Sequence, residues 1–179
     1  MNWMDLTVVG ALAGGLLFGA QRGMLRQGAL MIGFYISLVL AARYHASVVS
    51  LLIDYLPRAD PSLAGAYILA GLTLGGTLVL GGLSQFGYGG GRLTSAPTFD
   101  RLAGAGLGAA WSWAVLAFAG TVLIYGVSFG WGTQEPLRQQ IVSQLADSHL
   151  SALVRTSLPA LRDLVTPWLP GGLPAALRT

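Results

Sequence analysis

Four long charge-free stretches, each bounded by charged residues, set the pattern of this chain: Leu6 to Gln21, Gln27 to Ala42, Pro61 to Gly91, and Leu102 to Gln134. A helix that crosses a bilayer needs about 20 predominantly apolar residues. The pattern therefore predicts an all-α integral membrane protein with four transmembrane helices, at residues 3–21, 27–42, 63–86 and 102–127. Trp3 and Met4 lengthen the first at the interface, as a Trp commonly does. The second is short, and is extended by Arg26 and Arg43, whose stems can reach the interface while their heads stay wet.

Small residues recur at a spacing of four within these stretches. Gly15, Gly19 and Gly23 do so in the first, as do Gly10 and Gly14; Gly71 and Gly75 do so in the third. Gly104, Gly108 and Ser112 do so in the fourth. Such stripes let helices approach closely where no hydrophobic driving force separates helix from lipid. The stretch from Phe99 to Val127 is accordingly expected to be the packing centre, with Leu at Gly104 or Gly108 more damaging than Leu at Ala117.

The connecting segments differ in kind. Residues 19–28 place Arg22 and Arg26 in a turn, and residues 43–61 suit a short amphipathic surface helix ended by Pro57. His45 there has no second ligand nearby and reads as an interfacial histidine. The run Gly87–Arg92 is glycine-rich but lacks the Lys-Ser/Thr of a phosphate-binding loop, so it reads as a connector. Charge returns after Trp131. Leucines and valines at helical spacing then predict one or two amphipathic helices, lying on the lipid interface or on the ends of the spans, with a frayed end from Pro170. Trp111 and Trp113 are expected to face lipid or the interface. The organisation expected is a four-helix membrane domain over residues 1–130 and an amphipathic tail over residues 131–179.

Composition agrees: 54% of the 179 residues are hydrophobic and 9% charged, where a soluble globule carries about a quarter. Cysteine is absent, which excludes disulfides and thiolate metal sites, and no cofactor or metal site is expected. All ten basic residues are arginines, scattered at boundaries rather than clustered, so a nucleic-acid partner is not expected. Asp5, the lone charge ahead of the first apolar run, argues against the positive start of a cleaved signal peptide.

Three motifs stand in a fixed order around the apolar runs: Trp3 and Asp5 at the start, Gly19-Ala20-Gln21-Arg22-Gly23 after the first run, and Phe99-Asp100-Arg101-Leu102-Ala103-Gly104 to Gly108 opening the last. In these the chain, over about residues 1–130, resembles the bacterial colicin V production protein family. One departure is Gln27, where the family commonly has an acidic residue. The resemblance implies a small inner-membrane protein needed for production or export of a peptide toxin and for envelope upkeep, with no catalytic mechanism. It also places the tail outside the cytoplasm. The arginines lean the same way, with Arg22, Arg26, Arg92 and Arg101 in the two loops expected to be cytoplasmic, against Arg43, Arg58 and Arg138.

The leading functional expectation is a non-enzymatic membrane scaffold or accessory protein, in contact with the lipid bilayer and with other membrane or envelope proteins, and a candidate homo-oligomer. Its motif residues are Asp5, Arg22, Gly23, Arg26, Asp100 and Arg101, with Gly15, Gly19, Gly104 and Gly108 packing helices. The alternative is a small transporter or channel component using those boundary charges. A hydrolase built on Ser148-His149 is disfavoured, because adjacent helical side chains diverge by about 100° and no nucleophile elbow exists. Arg22 or Arg26 is expected to pair with Asp100 across the helix ends.

Overall fold

The computed structural model describes residues 2–53, 61–87, 96–129, 136–148, 156–169, 173–174 and 177. Its long helices are α1 (Trp3–Arg22), α2 (Met24–Ile53), α3 (Pro61–Gly87) and α4 (Pro97–Phe129). Two shorter ones, α5 (Pro136–Asp147) and α6 (Leu158–Val165), precede a single 3-10 turn, Thr166–Trp168. No strand occurs among the described residues. All four long helices are long and apolar enough to span a bilayer, and large apolar side chains such as Leu17, Phe18, Ile32, Leu78 and Leu102 are exposed on their outer faces.

Helix α2 departs from the expected pattern. It is one continuous helix of 30 residues that absorbs residues 43–53, so the separate surface helix is not present in the described part of 43–61. Nothing between Arg43 and Ile53 is a glycine or proline, so the polar residues there mark a change of solvent, not the end of the helix. His45 hydrogen-bonds through Nδ1 to the Ala42 carbonyl, 2.8 Å away, within the same helix. At about 45 Å, α2 is longer than the hydrocarbon layer of about 30 Å, and must tilt or project beyond it. The glycine-rich run after Gly87, like Asp54 to Asp60, lies outside the described residues.

The helices pair antiparallel, α1 on α4 and α2 on α3, and these are the two largest contacts in the molecule. Against α3, α2 brings Gly33 to Leu80 and Ser37 to Gly76, where an added Cβ would stand 3.3 Å from Leu80 Cβ and 2.7 Å from Ser37 Oγ respectively. Gly71 and Gly75, the stripe expected to pack, have nothing within 4 Å of a Cβ. The two pairs join through Phe34 of α2 and Phe118 of α4, edge to face with ring centres 6.2 Å apart. Trp111 is half-buried against this core and does not simply face lipid.

The tail divides its packing between two places. Helix α5 meets the ends of α1 and α4 remote from Gly23: Arg138 Nε donates to Val127 O at 2.9 Å, and Asn2 Nδ2 donates to Gln144 O at 2.5 Å. Helix α6 instead lies along the side of the bundle. Val165 is fully buried in the same core as Phe34 and Leu38, and the Tyr35 hydroxyl donates to Leu164 O at 2.9 Å. Neither site foreseen for the tail describes α6, because Leu164 and Val165 sit beside the middle of α2 and α4. The last residues are not frayed throughout, since Leu177 is buried and its carbonyl accepts from Arg162 Nε at 3.1 Å. Cysteines replacing Tyr35 and Leu164 in this cysteine-free chain should join in high yield with a short bifunctional thiol reagent. No intramolecular product in native membranes would detach α6 from α2.

Candidate functional site

Gly23 is the single residue between α1 and α2, and it serves both. Its N–H donates to Gly19 O at 3.0 Å, closing α1, while its carbonyl accepts from Gln27 N at 3.1 Å, opening α2. Its φ of 82° and ψ of 169° fall in a region that only glycine occupies readily. The turn expected over residues 19–28 is thereby reduced to one residue. A glycine at the start of a helix brings no side chain to its free amide groups, which are normally met by Ser, Thr, Asp or Asn.

Asp100 supplies that acceptor from another helix. It lies in the first turn of α4, is 2% exposed, and its Oδ1 accepts from Met24 N at 2.9 Å. A carboxylate at a helix N-terminus also meets the positive end of the helix dipole. The fit is tight, since a Cβ on Gly23 would stand 2.9 Å from the Asp100 Cγ.

From this junction the crossing of α1 and α4 runs down a row of glycines. A Cβ at Gly19 would lie 2.9 Å from Gly108 Cα, one at Gly15 would lie 2.6 Å from Gly108 O, and one at Gly104 would lie 2.9 Å from the Gly23 carbonyl carbon. A Cβ at Gly108 would meet Gly15 O and stand 2.9 Å from Gly19 Cα. Backbone rests on backbone here, with no side chain to yield. Ser112 continues the row against Gly15.

The charged residues divide. Asp100 does not pair with either arginine: Arg22 places its guanidinium 5.9 Å from the Phe18 ring centre, and Arg26 Nε is buried without a hydrogen-bond partner. The correction has a simple cause: Gly23 brings the start of α2 against Asp100, and the Met24 amide takes the carboxylate oxygen. Arg101 is exposed. Asp5 lies at the far end of α1 and accepts from Ser148 Oγ at 2.6 Å, so it is not part of this cluster. That bond engages the serine considered for hydrolysis, while His149 lies outside the described residues. No group of three His, Asp or Glu that could hold a metal occurs among the described residues.

Family comparison bears on the same residues. The model of the colicin V production protein family matches residues 4–157, which include α1 from its second residue, α2 to α4 and the whole junction. The chain belongs to the colicin V production protein family. With its four span-length helices, it is a multi-pass membrane protein. No curated protein and no solved structure matches the chain. Two of the three motifs that marked the family share a position: the GxxRG residues Gly19 and Gly23 meet the FDR-L-x-G residues Asp100 and Gly104 at one helix junction. Sequence reading missed the backbone amide as the partner of Asp100. It also gave no part in the site to Gln27, which is buried, or to Trp111, which is half-buried, although their Oε1 and Nε1 atoms are buried without a hydrogen-bond partner. A glutamine inside an apolar run was the available signal for the first.

Proposed function

We propose that this colicin V production family member is a non-enzymatic scaffold or accessory of the bacterial inner membrane, supporting toxin production or export and upkeep of the envelope. The toxin link rests on the family's name. The observation that carries the scaffold reading is how the polar groups within the spans are used. Asp100 caps α2, and the hydroxyls of Thr73, Thr77 and Thr121 donate to carbonyls four residues back in their own helices. The Asp100 cap joins α4 to α2, the threonine hydroxyls are taken up within their own helices, and groups so engaged are poorly placed to relay an ion. Crosslinking in native membranes followed by purification should recover a reproducible membrane or envelope partner, a second copy of the chain included. Steady proton flux through liposomes holding the pure protein, with no partner recovered, would favour the transporter reading instead.

Both termini are proposed to lie outside the cytoplasm, on the arginine balance of the loops. Cysteine at Asn2 or Pro170 should then label with an impermeant thiol reagent in spheroplasts, and cysteine at Gly90 should not. Labelling at residue 90 alone reverses the orientation.

A further inference from the structure

The end of α6 stands at the middle of the membrane. Met24 and Asp100 mark one boundary, and Tyr35, whose hydroxyl holds Leu164 O, lies about 16 Å along α2 from it, half of a hydrocarbon layer of about 30 Å. Leu164 and Val165 line a cavity at this level with Ile32 and Phe34 of α2 and Trp111 and Ala114 of α4. Val165 points into the bundle core and is fully buried. Two residues back along a helix is a rotation of about 200°, so Asp163 is turned away from that core, and it is exposed. The surface around it is apolar: Leu164 is 60% exposed, and Ile32 and Ile36 form an exposed strip on α2. Among the described residues, none hydrogen-bonds or pairs with the Asp163 carboxylate. Adjacent helical side chains diverge by about 100°, so Arg162 does not face it.

A carboxylate at mid-membrane depth is costly against lipid, and an aspartate has no long stem with which to reach the interface. The apolar surround offers no wet cleft, so whatever covers Asp163 must be apolar and bring a cation. A second copy brings none from the described residues. Arg22, Arg26, Arg43, Arg101 and Arg138 stand at the ends of the spans or beyond them, and Arg162, at the right depth, is taken up by Leu177 O at 3.1 Å. We propose that the flank of α2 and α6 around Asp163 docks a transmembrane helix of another protein, one that carries a lysine or arginine at mid-span and pairs it with Asp163. This inference rests on the scaffold reading and names the kind of partner the scaffold holds.

A benzophenone amino acid at Leu164, or at Ile36 should the first variant not accumulate, tests it by photocrosslinking of the full chain in native membranes. The adduct should map to a transmembrane segment of another protein, beside a lysine or arginine, and the same residue at Leu78, exposed on α3, should not give it. Asp163→Leu should lower the yield about tenfold, and Asp163→Glu should keep it. Purified alone, Asp163→Leu should lose no thermal stability, because the carboxylate makes no contact that its own fold needs. A lowered midpoint, an adduct with a second copy, no adduct from either position, or a yield unchanged in Asp163→Leu would each overturn the proposal. So would rapid labelling of Asp163→Cys by an impermeant thiol reagent, which would mean that water covers the site. If crosslinking from another face still recovers a partner, the scaffold reading survives that failure; labelling of Asp163→Cys together with proton flux through liposomes would overturn both.

Discussion

Leucine in place of Gly108 should largely abolish accumulation of the folded protein, whereas leucine at Gly106, two residues away on the same helix, should be tolerated. At Gly108 even a Cβ would press on the α1 backbone at Gly15 and Gly19, and backbone cannot repack. Overpacking costs about 1–3 kcal/mol in cores whose side chains can adjust, against a total stability of about 5–15 kcal/mol. A whole isobutyl group between two backbones must exceed the adjustable case, because it forces α1 and α4 apart along the full row of glycines. Gly106 is exposed with nothing within 4 Å of a Cβ, and leucine there gains up to about 1 kcal/mol of helix propensity. Membrane abundance and thermal midpoints in detergent measure both. Ala117, the comparison that the sequence alone suggests, is unsuitable because it is 1% exposed and leucine there would also overpack.

Asp100→Arg should destroy the junction, and neither Arg22→Asp nor Arg26→Asp should restore it. The partner of the carboxylate is the Met24 amide, which a swap of side chains leaves without an acceptor. Asp100→Asn should retain most of the stability, because its amide oxygen can still accept from Met24. Asp100→Ala should lose about 1–2 kcal/mol, the loss found when a helix cap is removed. Recovery in either double mutant would reinstate an ion pair. Abundance and thermal midpoints of the three single and two double variants separate the two cases.

The spans were legible because hydrocarbon imposes one simple demand, a long enough run without charge, and Leu6–Gln21 and Leu102–Gln134 meet it openly. Charge was a poor guide to where helices stop. Arg43 leaves the apolar run while α2 continues to Ile53, and α4 starts at Pro97, ahead of the Asp100-Arg101 doublet. Glycine spacing found the right faces on α4 and, through Gly15, Gly19 and Gly23, on α1, but Gly10 and Gly14 have nothing within 4 Å of a Cβ, and it misjudged α3, where Gly76, not Gly71 or Gly75, meets α2. Spacing says which glycines share a face; only the partner helix says which face is used. The candidate site was half legible. Arg22, Gly23, Arg26 and Asp100 were picked out by type and position, yet opposite charges suggested a pair where the backbone N–H of Met24 holds the carboxylate. No side-chain pattern reports a backbone donor. Likewise nothing in the leucine spacing of residues 158–165 distinguishes a lipid surface from the flank of α2 and α4, where Val165 is buried.

Hydrogen exchange at the Met24 amide, followed by NMR in a membrane mimetic, tests most directly whether Asp100 joins α4 to the start of α2. An amide in the first turn of a helix has no intrahelical acceptor and ordinarily exchanges quickly. Met24 should instead be protected, and the protection should fall by at least tenfold in Asp100→Ala while remaining in Asp100→Asn. Fast exchange of Met24 in the unmodified protein, or protection unchanged in Asp100→Ala, would contradict the junction of Gly23, Met24 and Asp100.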